Sequence, residues 1–345
     1  MYVWRWEMIE HSDYPSPVVE DIIRIRRRIR KSNLPRKRVD ENLIIGSWNV
    51  RAFGRLYEGW EENPHSPKRN LRAMAYIAEI VKQFDIVAVQ EVKRDTTAVR
   101  KLLELFLGTE NWGLILSDVS AGTEGNQERL GFIYDKRRVQ PSGLAGEIVL
   151  PATPDGEPLD QFDRTPYIVG FRSAGESFAL LTAHIKYGDL PADRLEEISA
   201  LAEYIAVEIR DRTKTGGEER NLIVLGDFNI DKRGDNPLFQ AFRKTGLVVP
   251  SQLMNLKTTY ATEPKFYDQI AWFMGNLDLL TEGRAGVLDF AGAVYKEITL
   301  RQMSYRVSDH FPVWVEFRVD RSREQMADTL GVDPGMPDPF QDVSD

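Results

Sequence analysis

The sequence reads as a mixed α/β protein with much sheet, on two observations. Between Leu43 and about Arg318, short β-prone apolar runs alternate with amphipathic helical stretches. Polar residues recur at the ends of those runs, where a sandwich gathers strand-end side chains into a rim on rigid scaffolding. Size permits such a core: 345 residues, 42% of them hydrophobic, suffice for one large domain or two modest ones.

Taken in order, residues 1–40 look like an N-terminal appendage. It is polar as far as Pro17, then helical from about Val18, with Val18, Ile22, Ile25 and Ile29 near one face. The helix runs into RIRRRIRKSNLPRKR (24–38), which holds nine Arg or Lys and no acid. A body at 41–319 follows. Its β-prone runs are LIIGSW, DIVAVQEV, LGFIYD, YIVGF, FALLTAHI, NLIVLGDF, YDQIAWF and FPVWVEF. Its clearest helical stretches are KRNLRAMAYIAEIVKQF and ADRLEEISALAEYIAVEI. Residues 320–345 form an acidic, Pro-containing tail expected to be disordered. No internal repeat of fixed period is visible.

Composition excludes several classes. No apolar run reaches the roughly 18 residues of a membrane span, and the N-terminus lacks a basic region leading into an apolar one, so a cytoplasmic location is expected. With no cysteine there is no disulfide framework and no thiolate metal site; a metal would rest on carboxylate, amide or imidazole groups. The net charge of −8 argues against electrostatic coating of nucleic acid, and outside residues 24–38 the charge is −17. An acidic body can still hydrolyse phosphodiesters if its carboxylates hold a divalent cation.

The informative polar residues sit where strands end. IIGSWN ends on Asn49, IVAVQE on Gln90 and Glu91, LLTAH on His184, and LIVLGDFN on Asp227 and Asn229, while SDH (308–310) directly precedes FPVWV. Each has a plain structural alternative: a turn for Asn49, a surface charge for Glu91, a helix cap for Asp227, a hydrogen-bonded core histidine for His184. Their recurrence at strand ends favours one shared site.

The segments GSWNVRAFG, DIVAVQEVKRD, ERLGFIYD, LLTAHIKYG, LIVLGDFN, YDQIAW and SDHFPVWVEF, in that order, resemble the endonuclease/exonuclease/phosphatase superfamily, most closely its deoxyribonuclease I-like nucleases. The resemblance spans roughly residues 43–318. It implies a four-layer α/β/β/α sandwich, two packed mixed sheets flanked by helices, with one metal-dependent phosphodiesterase or phosphatase site at the sheet edge. By the same resemblance Glu91 and Asp309 are candidate metal ligands, with Asn49 adding an amide oxygen, and Mg²⁺ is the expected cation, Mn²⁺ substituting. Asp227 and Asn229, two apart, would point the same way if the backbone stays extended, orienting a water or holding a second ion. His310 would work beside Asp268, and His184 beside Glu128, as acid and base on opposite sides of a phosphate.

VRAFG, the Glu128–Arg129 pair and the histidine of LLTAHIKYG look like the deoxyribonuclease branch, which implies double-stranded DNA as substrate, with contacts from Arg51, Lys93, Arg94 and Arg129. QEVKRD carries one residue more than that branch's pattern, and Asn126 stands where the branch often has an aromatic residue. The alternatives are a phosphatase or phospholipase of the same superfamily, acting on an inositol phosphate or sphingolipid head group, and a non-catalytic binding module. Residues 18–38 read either as a helix packed on the body or as an electrostatic handle for DNA, an anionic membrane or a protein partner.

Overall fold

The computed structural model describes residues 8–120, 127–152, 155–157, 159–210, 221–273, 280–320, 322–333, 335–336, 338–341 and 343. Strand β1 (Asn42–Phe53) shows why the architecture is layered. Its alternate side chains Leu43 and Ile45 enter the core between two sheets, while Ile44, Trp48 and Val50 face a helical layer. Every one of them is fully buried, so the strand is apolar on both faces.

Two six-stranded sheets pack on each other. The first has the order β11 (Leu280–Val287), β12 (Val313–Arg318), β1, β2 (Ile86–Lys93), β4 (Glu128–Asp135), β3 (Trp112–Leu116). The second runs β5 (Gln140–Glu147), β6 (Tyr167–Ser173), β7 (Glu176–His184), β8 (Leu222–Asp227), β10 (Asp268–Phe273), β9 (Leu247–Val248). At the centre of each lies a parallel pair, β1 with β2 and β7 with β8; the other pairings are antiparallel. Both parallel pairs end in the polar residues singled out by the sequence, and the antiparallel neighbours β4 and β10 begin there, on Glu128 and Asp268. The carboxyl ends of parallel strands are where α/β sheets gather ligands.

Helices α1 (Ser16–Lys31), α2 (Leu71–Val81) and α3 (Thr97–Leu102) share one apolar cluster with the first sheet. Asn70 caps α2, its side chain accepting from Ala73 N at 3.1 Å. Helices α4 (Pro191–Tyr204) and α5 (Pro237–Arg243) pack with β8 through Ile198, Leu201, Phe239 and Phe242. The layers are therefore helix, sheet, sheet, helix. Among the described residues no helix is long and apolar enough to cross a membrane.

The N-terminal helix is docked rather than appended. Val18, Ile22 and Ile25 are buried in the same cluster as α2 and β1. Asp21, fully buried, accepts from Arg72 Nη2 at 2.7 Å and Tyr295 N at 3.2 Å, and pairs with Arg24 and the Tyr76 hydroxyl. At the other end of the chain, where disorder is expected, Ser322–Leu330 forms a helix with Ala327 buried.

Candidate active site

Local backbone geometry aims the side chains. The register between β1 and β2 shifts between Asn49 and Phe53, and that between β2 and β4 shifts between Val89 and Val92. Glu91 sits in the second irregularity at φ +60, one of four non-glycine left-handed residues at this rim, with Ala52, Gln127 and Asn229. In strict alternation Glu91 would face the helical layer; the bulge turns it toward Asn49, whose Nδ2 donates to Glu91 Oε1 at 3.1 Å. Ala52 N donates to the other carboxylate oxygen at 2.8 Å. Such strained positions persist where surrounding structure holds them.

Asp227 is the hub. Its Oδ2 accepts from Asn49 Nδ2 at 2.9 Å and lies 3.6 Å from His184 Nε2 and 3.7 Å from His310 Nε2. Each imidazole is held from behind by a carboxylate: His184 Nδ1 lies 2.8 Å from Glu128 Oε2, and His310 Nδ1 lies 2.9 Å from Asp268 Oδ2. With Nδ1 donating to a carboxylate, Nε2 of each ring is left facing inward. Gly226 lets β8 come this close to β7, since a Cβ there would stand 2.0 Å from Ala183 O and its φ is +148.

Burial and charge set the protonation states. Burial pushes the Glu128 carboxyl up, but the His184 hydrogen bond and the charges of His184, Arg164 and Lys93 outweigh it and hold it at about 2. Burial pulls His184 down, yet Glu128 and Asp227 leave it above the usual imidazole value. His310, also opposed by burial, is carried well above that value by Asp268 and Asp227. Burial would raise Asp227, but the two imidazoles and the Asn49 amide lower it. Asp268 is raised, because its burial exceeds what His310 returns.

The other expected residues divide. Asn229 does not continue an extended backbone: at φ +50 it turns, its Nδ2 donates to Ile185 O at 2.7 Å, and its N–H donates to Asp227 Oδ1 at 2.9 Å. It braces Asp227, and the premise that both side chains point the same way fails. Asp309 is paired with Arg51 Nη1 at 3.0 Å, and Arg51 also donates to Ser304 Oγ and lies over the Tyr305 ring. Arg129 is turned to Ser117 O at 2.7 Å. Lys93 bonds Glu128 Oε1 at 2.8 Å, while Arg94 is exposed. Asn126 lies outside the described residues.

Three contributors escape a sequence reading. Arg164, 7% exposed, places Nε 2.9 Å from Glu128 Oε2 and gives that carboxylate a third cationic neighbour. Ser308 Oγ donates to Asn49 O at 2.6 Å and accepts from His310 N, tying the end of β1 to the SDH turn. Arg69, fully buried, donates to the carbonyls of Arg51, Ala52, Arg306 and Val307 and locks the same junction. No local signal marks Arg164, whose partner is 36 residues away; Ser308 stands in the SDH segment, but its bond to Asn49 O spans 259 residues.

Beside this rim opens a cleft of about 650 Å³ walled by Arg55, Lys68, Arg69, Lys93 and Arg94 with one acid, Asp95. Gly54 lets its wall close on β2, where a Cβ would meet Lys93 Cβ at 2.9 Å. The donor set also fits a hard divalent cation. Asn49 Oδ1 is buried without a hydrogen-bond partner among the described residues, next to the Glu91 carboxylate. Asp227, Asp268 and His310 also bring ligand atoms within 4.8 Å of one another. There, however, His310 Nδ1 is already bonded to Asp268, and Mg²⁺ prefers oxygen, so Asn49 and Glu91 are the better fit.

At the rim of the two-sheet α/β sandwich two carboxylate-backed histidines face a third carboxylate, an arrangement able to give and take protons on both sides of one centre. The chain belongs to the Endonuclease/Exonuclease/phosphatase family, which it matches over residues 46–310. It is 30% identical to a deoxyribonuclease of Thioalkalivibrio sp. (strain K90mix) across 80% of this chain and 71% of that protein. Deoxyribonuclease-1 of Gallus gallus is 26% identical across 81% and 94%. Among solved structures, a mannosyl-6-phosphatase of Bacteroides thetaiotaomicron VPI-5482 shares the fold with TM-score 0.50 and 19% identity, covering 80% of this chain and 99% of that one.

Proposed function

We propose that the protein is a divalent-cation-dependent phosphodiesterase that cuts DNA with little sequence preference. One observation carries the reading: the two imidazoles present Nε2 to the same oxygen of Asp227, each fixed from behind by a buried carboxylate. Two oriented proton-transfer groups suit a reaction that takes a proton from attacking water and returns one to a departing oxygen. A cation held by Asn49 and Glu91, with Asp309 if it releases Arg51, would supply charge stabilisation for the phosphoryl oxygens. Asp227 orients both rings and balances their charge; Arg164 and Lys93 keep Glu128 ionised behind His184.

The cationic cleft favours a polyanionic strand over a small monoester, because Arg55, Lys68 and Arg94 in its wall can follow a phosphate backbone beyond the scissile bond. The deoxyribonuclease relatives point the same way. A substrate panel tests this: supercoiled plasmid, single-stranded RNA, a sugar phosphate monoester, an inositol phosphate and sphingomyelin, each with Mg²⁺ or Mn²⁺. Plasmid nicking far above the other activities is expected. Turnover of a monoester or lipid with inert DNA would replace this reading with the phosphatase or phospholipase one.

A further inference from the structure

The basic run 24–38 remains unexplained by the catalytic rim, and the structure divides its nine cations. Five are engaged within the chain. Arg24 bonds Asp21 and Ala293 O; Arg26 bonds both oxygens of Glu79; Arg28 bonds Ala291 O; Lys37 bonds Asp135 and Phe84 O; Arg38 pairs with Glu41. Arg27, Arg30, Lys31 and Arg36 are exposed, with no side-chain partner among the described residues.

Two of these four border a pocket of about 430 Å³ between the C-terminal halves of α1 and α2. On one side stands the Arg26–Glu79 pair, which is nearly charge-neutral. Around it are Arg30, Arg36 and Lys82, three cations without a carboxylate hydrogen bond. Lys82 is the telling group. It is half-buried at the C-terminal end of α2, and burial, together with nearby Arg26, pulls its ammonium below the usual lysine value despite the attraction of Glu79 and Glu10. A partly desolvated cation beside two others gains most from an anion arriving from solvent. The chain outside residues 24–38 carries −17, so this concentration of positive charge is a local exception.

We propose that this pocket is a second phosphate-binding site, in which Arg30, Arg36 and Lys82 hold a backbone phosphate of nucleic acid away from the catalytic rim. The assignment to nucleic acid rests on the function proposed above. Geometry separates the two sites: Lys82 precedes Ile86, the start of β2, whereas Glu91 is its sixth residue, and the five intervening rises span roughly 17 Å. The pocket therefore anchors a strand without touching the reacting phosphate. Affinity and its salt dependence should respond to it, and turnover at saturation should not.

The test uses the full chain carrying Arg30→Glu and Arg36→Glu, with Arg243→Glu and Lys244→Glu, exposed at the end of α5, as a charge-matched control. Binding of a 30-base-pair duplex is followed by fluorescence anisotropy in EDTA between 50 and 300 mM salt, beside plasmid nicking in Mg²⁺. The pocket variant should bind about tenfold more weakly, with a log–log salt slope shallower by about 2, and keep its nicking rate at saturating DNA. Lys82→Met should weaken binding in the same direction. Equal losses in pocket variant and control would reduce the effect to net charge and overturn the site. An unchanged affinity and slope would overturn it too. If pyrophosphate raises the melting temperature only when Arg30 and Arg36 are present, while DNA affinity is unchanged, the pocket takes free phosphate and the backbone assignment fails. A parent protein that binds DNA through the pocket but cuts nothing would defeat the proposed function alone.

Discussion

Replacing Asp268 with Asn isolates the charge behind His310. Asp268 is fully buried, and its Oδ2 accepts from His310 Nδ1 at 2.9 Å. The amide keeps the volume but removes the charge, and it can present N–H where the imidazole needs an acceptor. Two unit charges about 4 Å apart at an effective dielectric near 20 interact by about 4 kcal/mol. Losing that stabilisation of the imidazolium amounts to about 10³-fold in rate, within the range of about 10²–10⁴ for a mispositioned acid–base group. The fold should tolerate the change, because burial already pushes the Asp268 carboxyl up and the amide lifts that cost. Initial rates of Mg²⁺-dependent plasmid nicking from pH 5 to 9, beside thermal melting, provide the assay. A loss of two or more orders of magnitude at unchanged melting temperature is expected. Activity within about threefold of the parent would refute the role of the pair.

Other expectations concern stability and binding. Glu128 is ionised at about 2 in the fold against an ordinary carboxylate value near 4.5, so its stabilisation is present above about pH 4.5 and is lost as pH falls toward 2. Urea titrations should show Glu128→Gln losing on the order of 3 kcal/mol at pH 7 and converging with the parent near pH 2 to 3. Ile22→Ala or Ile25→Ala, each removing a fully buried side chain of α1, should cost about 2–4 kcal/mol in the same titrations, so deletion of residues 1–38 unfolds or destabilises the body rather than trimming a handle. Arg55→Ala and Arg94→Ala, in the cleft wall, should each weaken duplex binding and flatten its salt slope by about 1 while sparing the rate at saturation.

Much of the site is legible because strand ends are legible. The runs IIGSWN, IVAVQE, LLTAH and LIVLGDFN stop where period-2 apolar character stops, and the parallel central pairs bring those four ends to one rim. The pairing of His184 with Glu128 and of His310 with Asp268, expected from the family resemblance, crosses between the two sheets, since β4 and β7 lie in different sheets, as do β10 and β12. What is not legible depends on geometry without a local period. The left-handed turn at Asn229, the bulge that re-aims Glu91 and the Arg51–Asp309 ion pair come from backbone irregularity and long-range packing. Arg164 belongs to the same class, since arginine is rarely buried and its partner lies 36 residues away in the chain. The basic run misleads for a related reason: four of its nine charges meet acids or carbonyls contributed by distant segments, and a fifth pairs locally, so charge counted along the chain overstates charge offered to a partner.

The most direct measurement is supercoiled-plasmid nicking by the parent protein, His184→Ala and His310→Ala, each with Mg²⁺ and with EDTA, after melting curves show all three folded. The parent should nick in Mg²⁺ and be silent in EDTA, and each histidine variant should lose at least about 10²-fold. Cleavage retained by both variants, or undiminished in EDTA, would contradict a cation-assisted reaction run by two carboxylate-backed histidines.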